Sequence, residues 1–491
     1  MILCLKLYNM RYISALFLAF MFLFSFVACE EEDGFSANPS LRLEFSNDTI
    51  SFDTLFTETG SSTAGLMVYN RNGDGIRITS VQLASGGASG FSVLVDGQYG
   101  DHMRDLEVRA KDSLYVLASV RPDRNNKNEP FLVKDSLLFN LENGAQQKVM
   151  LVAYGRDVVR MKGVVIDSNT TLPKGHYVIF DSLVVAADVT LNLLPGTTMY
   201  FHNKAFMKVY GTLNASGTLQ EPIVMRGDRT DRMFSYLPYD RIPGQWGGVT
   251  FSSTSNGNRL LHCDIHSADY GVKVEPGDAE ILRITVESSQ IHNFHGNALE
   301  LVNSTAVVHN SLLANAQGNC VKVVGGNVEF VHCTIANFYV WKQRDVALAL
   351  HNGLDGEPAP LKRALFANCV ITGSKKDEVM GYLEDWGDDM PDAGNYLFEN
   401  SLINTVVGDE DKFVGNVFDV QGTEPFGAAH FCLIDHDNFK YDFHLSESSA
   451  ARGIAAERYS TLLQYDMDGV ERPVANADAG CYQYVEQAEE K

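Results

Sequence analysis

Three stretches of the 491-residue chain gather side chains that could act on another molecule. Residues 229–246 carry Phe234, Tyr236, Tyr239 and Trp246. Residues 338–363 carry Tyr339, Trp341, Lys342 and Arg344. Residues 375–396 carry Lys375, Lys376, Tyr382, Trp386 and the acids Asp385, Asp388, Asp389 and Asp392. Aromatic rings beside charges of both signs suit stacking on a sugar or anchoring a protein partner. The side chains expected to bind are Trp341, Lys342, Arg344, Tyr382, Trp386, Asp388 and Asp389. The plainer alternative is that these loops pack as lids on their scaffold.

Catalysis finds less support. Glycoside hydrolysis needs two carboxylates at a set separation, and polysaccharide lyases need a base and commonly a calcium ion held by acids. No such set recurs at one strand position, so no catalytic residue is expected. Neither a cofactor nor a metal is expected: there is no C-x-x-C for zinc. His262, His292, His309 and His332 sit at differing registers, as polar residues flanking turns do. The run Asn70–Gly75 imitates the start of a calcium loop, but its twelfth position is Val81, which cannot chelate. It reads instead as a hairpin turn with positive φ. Asp466 and Asp468 read as a capping turn, and Arg226-Gly227-Asp228 as a chance match to a cell-adhesion triplet.

A repeat must position the loops. Six segments share the pattern polar, small, any, aliphatic: His262-Cys263-Asp264-Ile265, Ser288-Ser289-Gln290-Ile291, Asn310-Ser311-Leu312-Leu313, His332-Cys333-Thr334-Ile335, Asn368-Cys369-Val370-Ile371 and Asn400-Ser401-Leu402-Ile403. A second column reads Val272-Lys273-Val274, Leu299-Glu300-Leu301, Val321-Lys322-Val323 and Leu348-Ala349-Leu350. Apolar–polar–apolar triplets are strands with one face in and one out. A basal period near 22 with short strands describes the stacked coils of a β-helix. Leucine-rich repeats share that period but need an L-x-x-L-x-L frame and an Asn ladder, and neither is seen. Cys263, Cys333 and Cys369 alternate with Ser in the small column, so they read as buried thiols; only Cys333 and Cys369 fall on adjacent coils. The two widest spacings between small residues, Cys333 to Cys369 and Cys369 to Ser401, are consecutive. If their extra residues leave one side, they form a single patch holding Trp341 and Trp386.

The N-terminus reads as an export signal. Lys6 and Arg11 precede an apolar run from Ile13 to Ala28, short for a membrane span and typical of a signal peptide. Ala28-Cys29 resembles a bacterial lipobox, which implies acylation of Cys29 and anchorage to the outer membrane. The acids at 30–33 resemble the surface-export signal of Bacteroidota lipoproteins. The formal charge is −23 and becomes −25 once residues 1–28, with Lys6 and Arg11 and no acid, are removed. Nucleic acid is therefore excluded as a partner.

Residues 183–226 bring Leu194-Pro195-Gly196-Thr197, Tyr210-Gly211-Thr212-Leu213 and Glu221-Pro222-Ile223, followed by Trp246-Gly247-Gly248. The tail carries Asp466-Met467-Asp468-Gly469, Arg472-Pro473 and Asp478-Ala479-Gly480-Cys481-Tyr482. This order resembles the right-handed parallel β-helix lipoproteins of Bacteroidota over roughly 160–485. The segment Tyr69–Leu83 similarly resembles a hairpin of bacterial immunoglobulin-like domains. The expected organisation is all-β: signal peptide 1–28, acidic tether 29–40, immunoglobulin-like sandwich 41–157, and right-handed β-helix with closing segment 158–485. The expected role is a surface lipoprotein binding an extracellular protein or glycan, with a polysaccharide lyase or glycoside hydrolase as the alternative.

Overall fold

A computed structural model describes residues 34–386, 394–406 and 410–486. The chain forms two compact units.

Within the described residues, the first unit spans 34–124 and 131–155. It is a β-sandwich of two five-stranded sheets. Its strands alternate as their sequences demand: in Ser113–Val120, Leu114, Val116, Ala118 and Val120 are buried. Residues 34–40, expected in the tether, belong to this unit, with Phe35 bridged to Gly75 and ringed by Arg77. The segment 69–83 is not a hairpin. Ala64–Tyr69 and Ile76–Leu83 lie in different sheets, so the connection crosses between them. No residue from 70 to 75 has positive φ. The buried Asn70 amide holds the loop instead, donating to the carbonyls of Asp74, Val108 and Arg109.

The second unit, 125–130 and 156 onward, is a parallel β-helix with a sheet of 26 strands. Each coil presents three faces. Face A runs 272–274, 299–302, 321–324, 348–351 and 379–382; face B runs 282–287, 304–309, 326–331, 361–367 and 394–399; face C runs 263–266, 290–294, 312–316, 334–337 and 370–373. Parallel crossovers of this kind turn right-handed. Inside face C, Ile265, Ile291, Leu313, Ile335, Ile371 and Ile403 stack in register, as the repeat predicts. On face B, Phe330, Phe366, Phe398 and Phe413 stack at centroid spacings of 4.8, 5.1 and 5.0 Å.

The turn from B to C explains the repeat's polar and small columns. His262, Ser288, Asn310, His332, Asn368 and Asn400 all adopt positive φ, between 45° and 53°. Asn and His are enriched among the non-glycine residues that tolerate this region. The small residue that follows is buried at the corner. Serine there does more than fit: Ser289, Ser311 and Ser401 accept the backbone N–H of Cys263, Ser289 and Cys369 from the coil before. The six described cysteines are free thiols. At the C-to-A corner a short asparagine ladder does exist: Asn293, Asn315 and Asn337 stand in consecutive coils. Asn315 Oδ1 accepts from Phe338, and Asn337 Oδ1 accepts from Ala316.

The closing segment lies along face C. Its hairpin, Phe431–Asp435 with Lys440–Leu445, packs Phe431, Phe443 and Leu445 onto outward-facing Leu312, Ala314, Ala336, Val370 and Leu402. The buried Arg472 donates to Asn310 Oδ1 at 2.6 Å. Asp466 accepts the N–H groups of Asp468 and Val470, which makes the expected capping turn. His444 bridges Asp442 at 2.6 Å and Asp468 at 2.8 Å and stacks on Tyr482. The hydrogen bonds to the two carboxylates raise its pKa from 6.5 to about 10. A raised pKa in the folded state stabilises fully below about pH 6.5, and that contribution fades as pH climbs through about 10. With the ring half-exposed, it should be on the order of 1 kcal/mol or less. His444→Gln should therefore flatten the decline in melting temperature between pH 6.5 and 10; parallel declines would rule this linkage out.

Candidate functional site

The structure separates the residues expected to form one patch. The long coil from 333 to 369 is extended at both ends of its face-A strand, by 338–347 on the C side and 352–360 on the B side. Trp341 leaves from the first corner. Tyr382 ends the face-A strand Val379–Tyr382, stacking on His351 at 4.5 Å, and Trp386 lies beyond it against Gly353. Trp341 and the Tyr382–Trp386 pair thus flank opposite ends of face A. Asp388 and Asp389 lie outside the described residues, as does Cys29.

Arg344 is not a surface residue. Its guanidinium donates to both carboxylate oxygens of the buried Glu378, at 2.9 and 2.5 Å, and to Ser374. Glu378 also accepts the N–H groups of Ala347 and Lys375. The pair pins loop 338–347 to the next coil; Lys342 beside it is exposed. Trp246, also read as a loop aromatic, is wholly buried and stacked on Phe201 at 4.2 Å. Arg226 and Asp228 are likewise engaged within the protein, by Asp240 and His202.

What the fold assembles instead is a groove on face C with a cavity of about 220 Å³. Its floor is Gln290, His292, Asn293, Leu312 and Asn315. One wall is Arg241 from loop 229–247; the other is the closing hairpin with Phe439, Lys440, Tyr441 and Phe443. An adjoining recess is lined by Tyr339 and Trp341. Trp341, 36% exposed, stacks on Phe439 at 4.3 Å. Two loops and the tail therefore converge over one strand face, the usual origin of a binding site on a rigid scaffold.

Beneath the groove, His292 Nε2 meets Asp264 at 3.1 Å and its ring stacks on His266. Burial alone would raise the Asp264 pKa, but His266 and His292 pull it down to about 2. Burial drops His266 to about 4, so it is neutral. The carboxylates near the groove are thus engaged: Asp264 by His292, Asp240 by Arg226. Among the described residues no cluster of three or more His, Cys, Asp or Glu could hold a metal.

No family model and no curated protein matches the sequence. Among solved structures, a family 28 exopolygalacturonase of Yersinia enterocolitica covers 72% of this chain and 89% of its own, at 8% identity and a TM-score of 0.29. A PapD-like domain of human CEP192 covers 24% of this chain and 87% of its own, at 14% identity and a TM-score of 0.17. A Porphyromonas gingivalis protein of unknown function covers 26% and 60%, at 18% identity and a TM-score of 0.18. At these TM-scores the likenesses carry no functional argument; the architecture stands on the strand pairing itself.

Proposed function

We propose that this chain is a surface lipoprotein, anchored through Cys29, whose immunoglobulin-like domain carries a β-helix that binds an extracellular glycan. The Trp341–Phe439 stack beside the face-C groove carries this reading. Aromatic rings next to amides, a guanidinium and an imidazole match the alternating apolar faces and hydroxyls of a sugar. A concave groove favours a glycan over a protein, and among the described residues Trp341 and Trp386 stand apart rather than in one broad patch. Trp341→Ala should weaken binding on a glycan array about tenfold or more without lowering the melting temperature. Unchanged binding would place the site elsewhere.

The Asp264–His292 pair supports a second reading, in which His292 acts as a base on a bound sugar. New reducing ends or unsaturated products, lost in His292→Gln, would favour it over binding alone. For the anchor, the apolar run ending at Ala28-Cys29 is the support. Among the described residues no helix is long and apolar enough to cross a membrane. Cys29→Ala should move the protein from the detergent phase to the aqueous phase; unaltered partitioning would disprove acylation there.

A further inference from the structure

The recess beside the groove is built differently from its mouth. Tyr339 lines it and is only 5% exposed, yet its hydroxyl has no hydrogen-bond partner within the protein. A buried hydroxyl left unmet is costly, so folded proteins retain one chiefly where something else satisfies it. Burial pushes this phenol up to about 12, which keeps it a donor at neutral pH. Arg241 lines both recess and groove. It commits Nη1 to the Asn438 carbonyl, with no further partner among the described residues. Lys440, on the groove wall, pairs with Asp435 across the closing hairpin and makes no close ion pair among the described residues. The nearby acids are engaged: Asp240 by Arg226, Asp264 by His292, and Asp435 by the Asn438 amide and two backbone N–H groups. In a chain with 62 acids and 39 bases, Arg241, which lines both cavities, and Lys440, on the groove wall, gather positive charge beside the recess that holds the phenol.

We infer that the unpartnered Tyr339 hydroxyl, with Arg241 and Lys440, recognises the carboxylate of a single acidic sugar at the end of an otherwise neutral glycan. The inference rests on the glycan-binding reading. A guanidinium fork matches a carboxylate in two parallel hydrogen bonds. The recess, about 10 Å³, has room for one water, through which the phenol supplies a further donor, and Lys440 supplies a point charge on the groove wall. A long polyanion is disfavoured by the protein's overall field, whereas one acidic residue meets mainly Arg241 and Lys440.

Calorimetry with the full chain in detergent tests this. The probes are oligosaccharides ending in glucuronic acid or N-acetylneuraminic acid, each paired with its carboxyl-reduced twin. At least one acidic probe should bind about tenfold or more tightly than its twin. Arg241→Gln with Lys440→Gln should bring that probe down to the affinity of its twin, and Tyr339→Phe should narrow the gap; circular dichroism confirms that each variant is folded. Twins that bind as tightly as the acids overturn the carboxylate assignment and leave glycan binding intact. The assignment is equally overturned if all four probes fail while a neutral glycan binds in a Trp341-dependent way. No binding to any glycan would overturn the underlying reading as well.

Discussion

Ile335→Asp should unfold the middle of the β-helix. Ile335 is fully buried in the hydrophobic core and lies in register between Leu313 and Ile371. The substitution removes a packed side chain and puts a charge in its place. The two effects together should cost about 5 kcal/mol. Coils of a solenoid are stabilised mainly by their neighbours, so the damage spreads to the coils above and below. Hydrogen exchange should show lost protection in 312–316 and 370–373, the strands that flank it. Ile335→Val, which keeps the ladder, should cost only about 1 kcal/mol. A melting curve for the Asp variant that overlays wild type would show that the register is wrong.

The second large effect is expected at Arg344. Replacing it with Ala leaves the fully buried Glu378 carboxylate facing two backbone N–H groups and no cation. Breaking such a pair from one side costs about 3–5 kcal/mol. Replacing both partners with apolar residues, Arg344→Met with Glu378→Leu, should cost clearly less, because no charge is stranded. Urea unfolding checks the magnitudes, and limited proteolysis within 338–347 checks the place. A double variant as unstable as Arg344→Ala would show that the pair's hydrogen bonds, not its charge balance, hold the loop.

The contrast between these two sites shows what a sequence reveals. Stacked coils force like residues into line, so the Ile335 ladder is legible as a column of aliphatics at a near-constant interval. Arg344 stands beside Trp341 and Lys342 in a loop and looks like surface. Its partner lies 34 residues further on, and nothing local announces it. The coil spacings count inserted residues but do not say at which corner they emerge, so Trp341 and Trp386, expected together, stand apart. The positive φ of the polar column left a trace in its Asn and His content, whereas the serine hydroxyls that cap a neighbouring coil left none beyond their size. The groove was the least legible part. Its floor comes from residues 290–315, its walls from Arg241 and from 439–443, and only the folded chain brings them together.

The closing segment has a consequence for biogenesis. A solenoid can form from its first coils onward while the rest of the polypeptide is still being delivered. Here the wall bearing Phe439, Tyr441 and Phe443 is anchored through later links, Arg472 to Asn310 and Gly480 to Asn368. The coils can therefore form before the groove does. A prematurely ended product would keep its ladders yet expose Leu312, Ala314, Ala336 and Val370 as a bare apolar strip. Completion of the face-C groove is thus expected to come last in assembly, and an unfinished chain would leave this strip open to solvent.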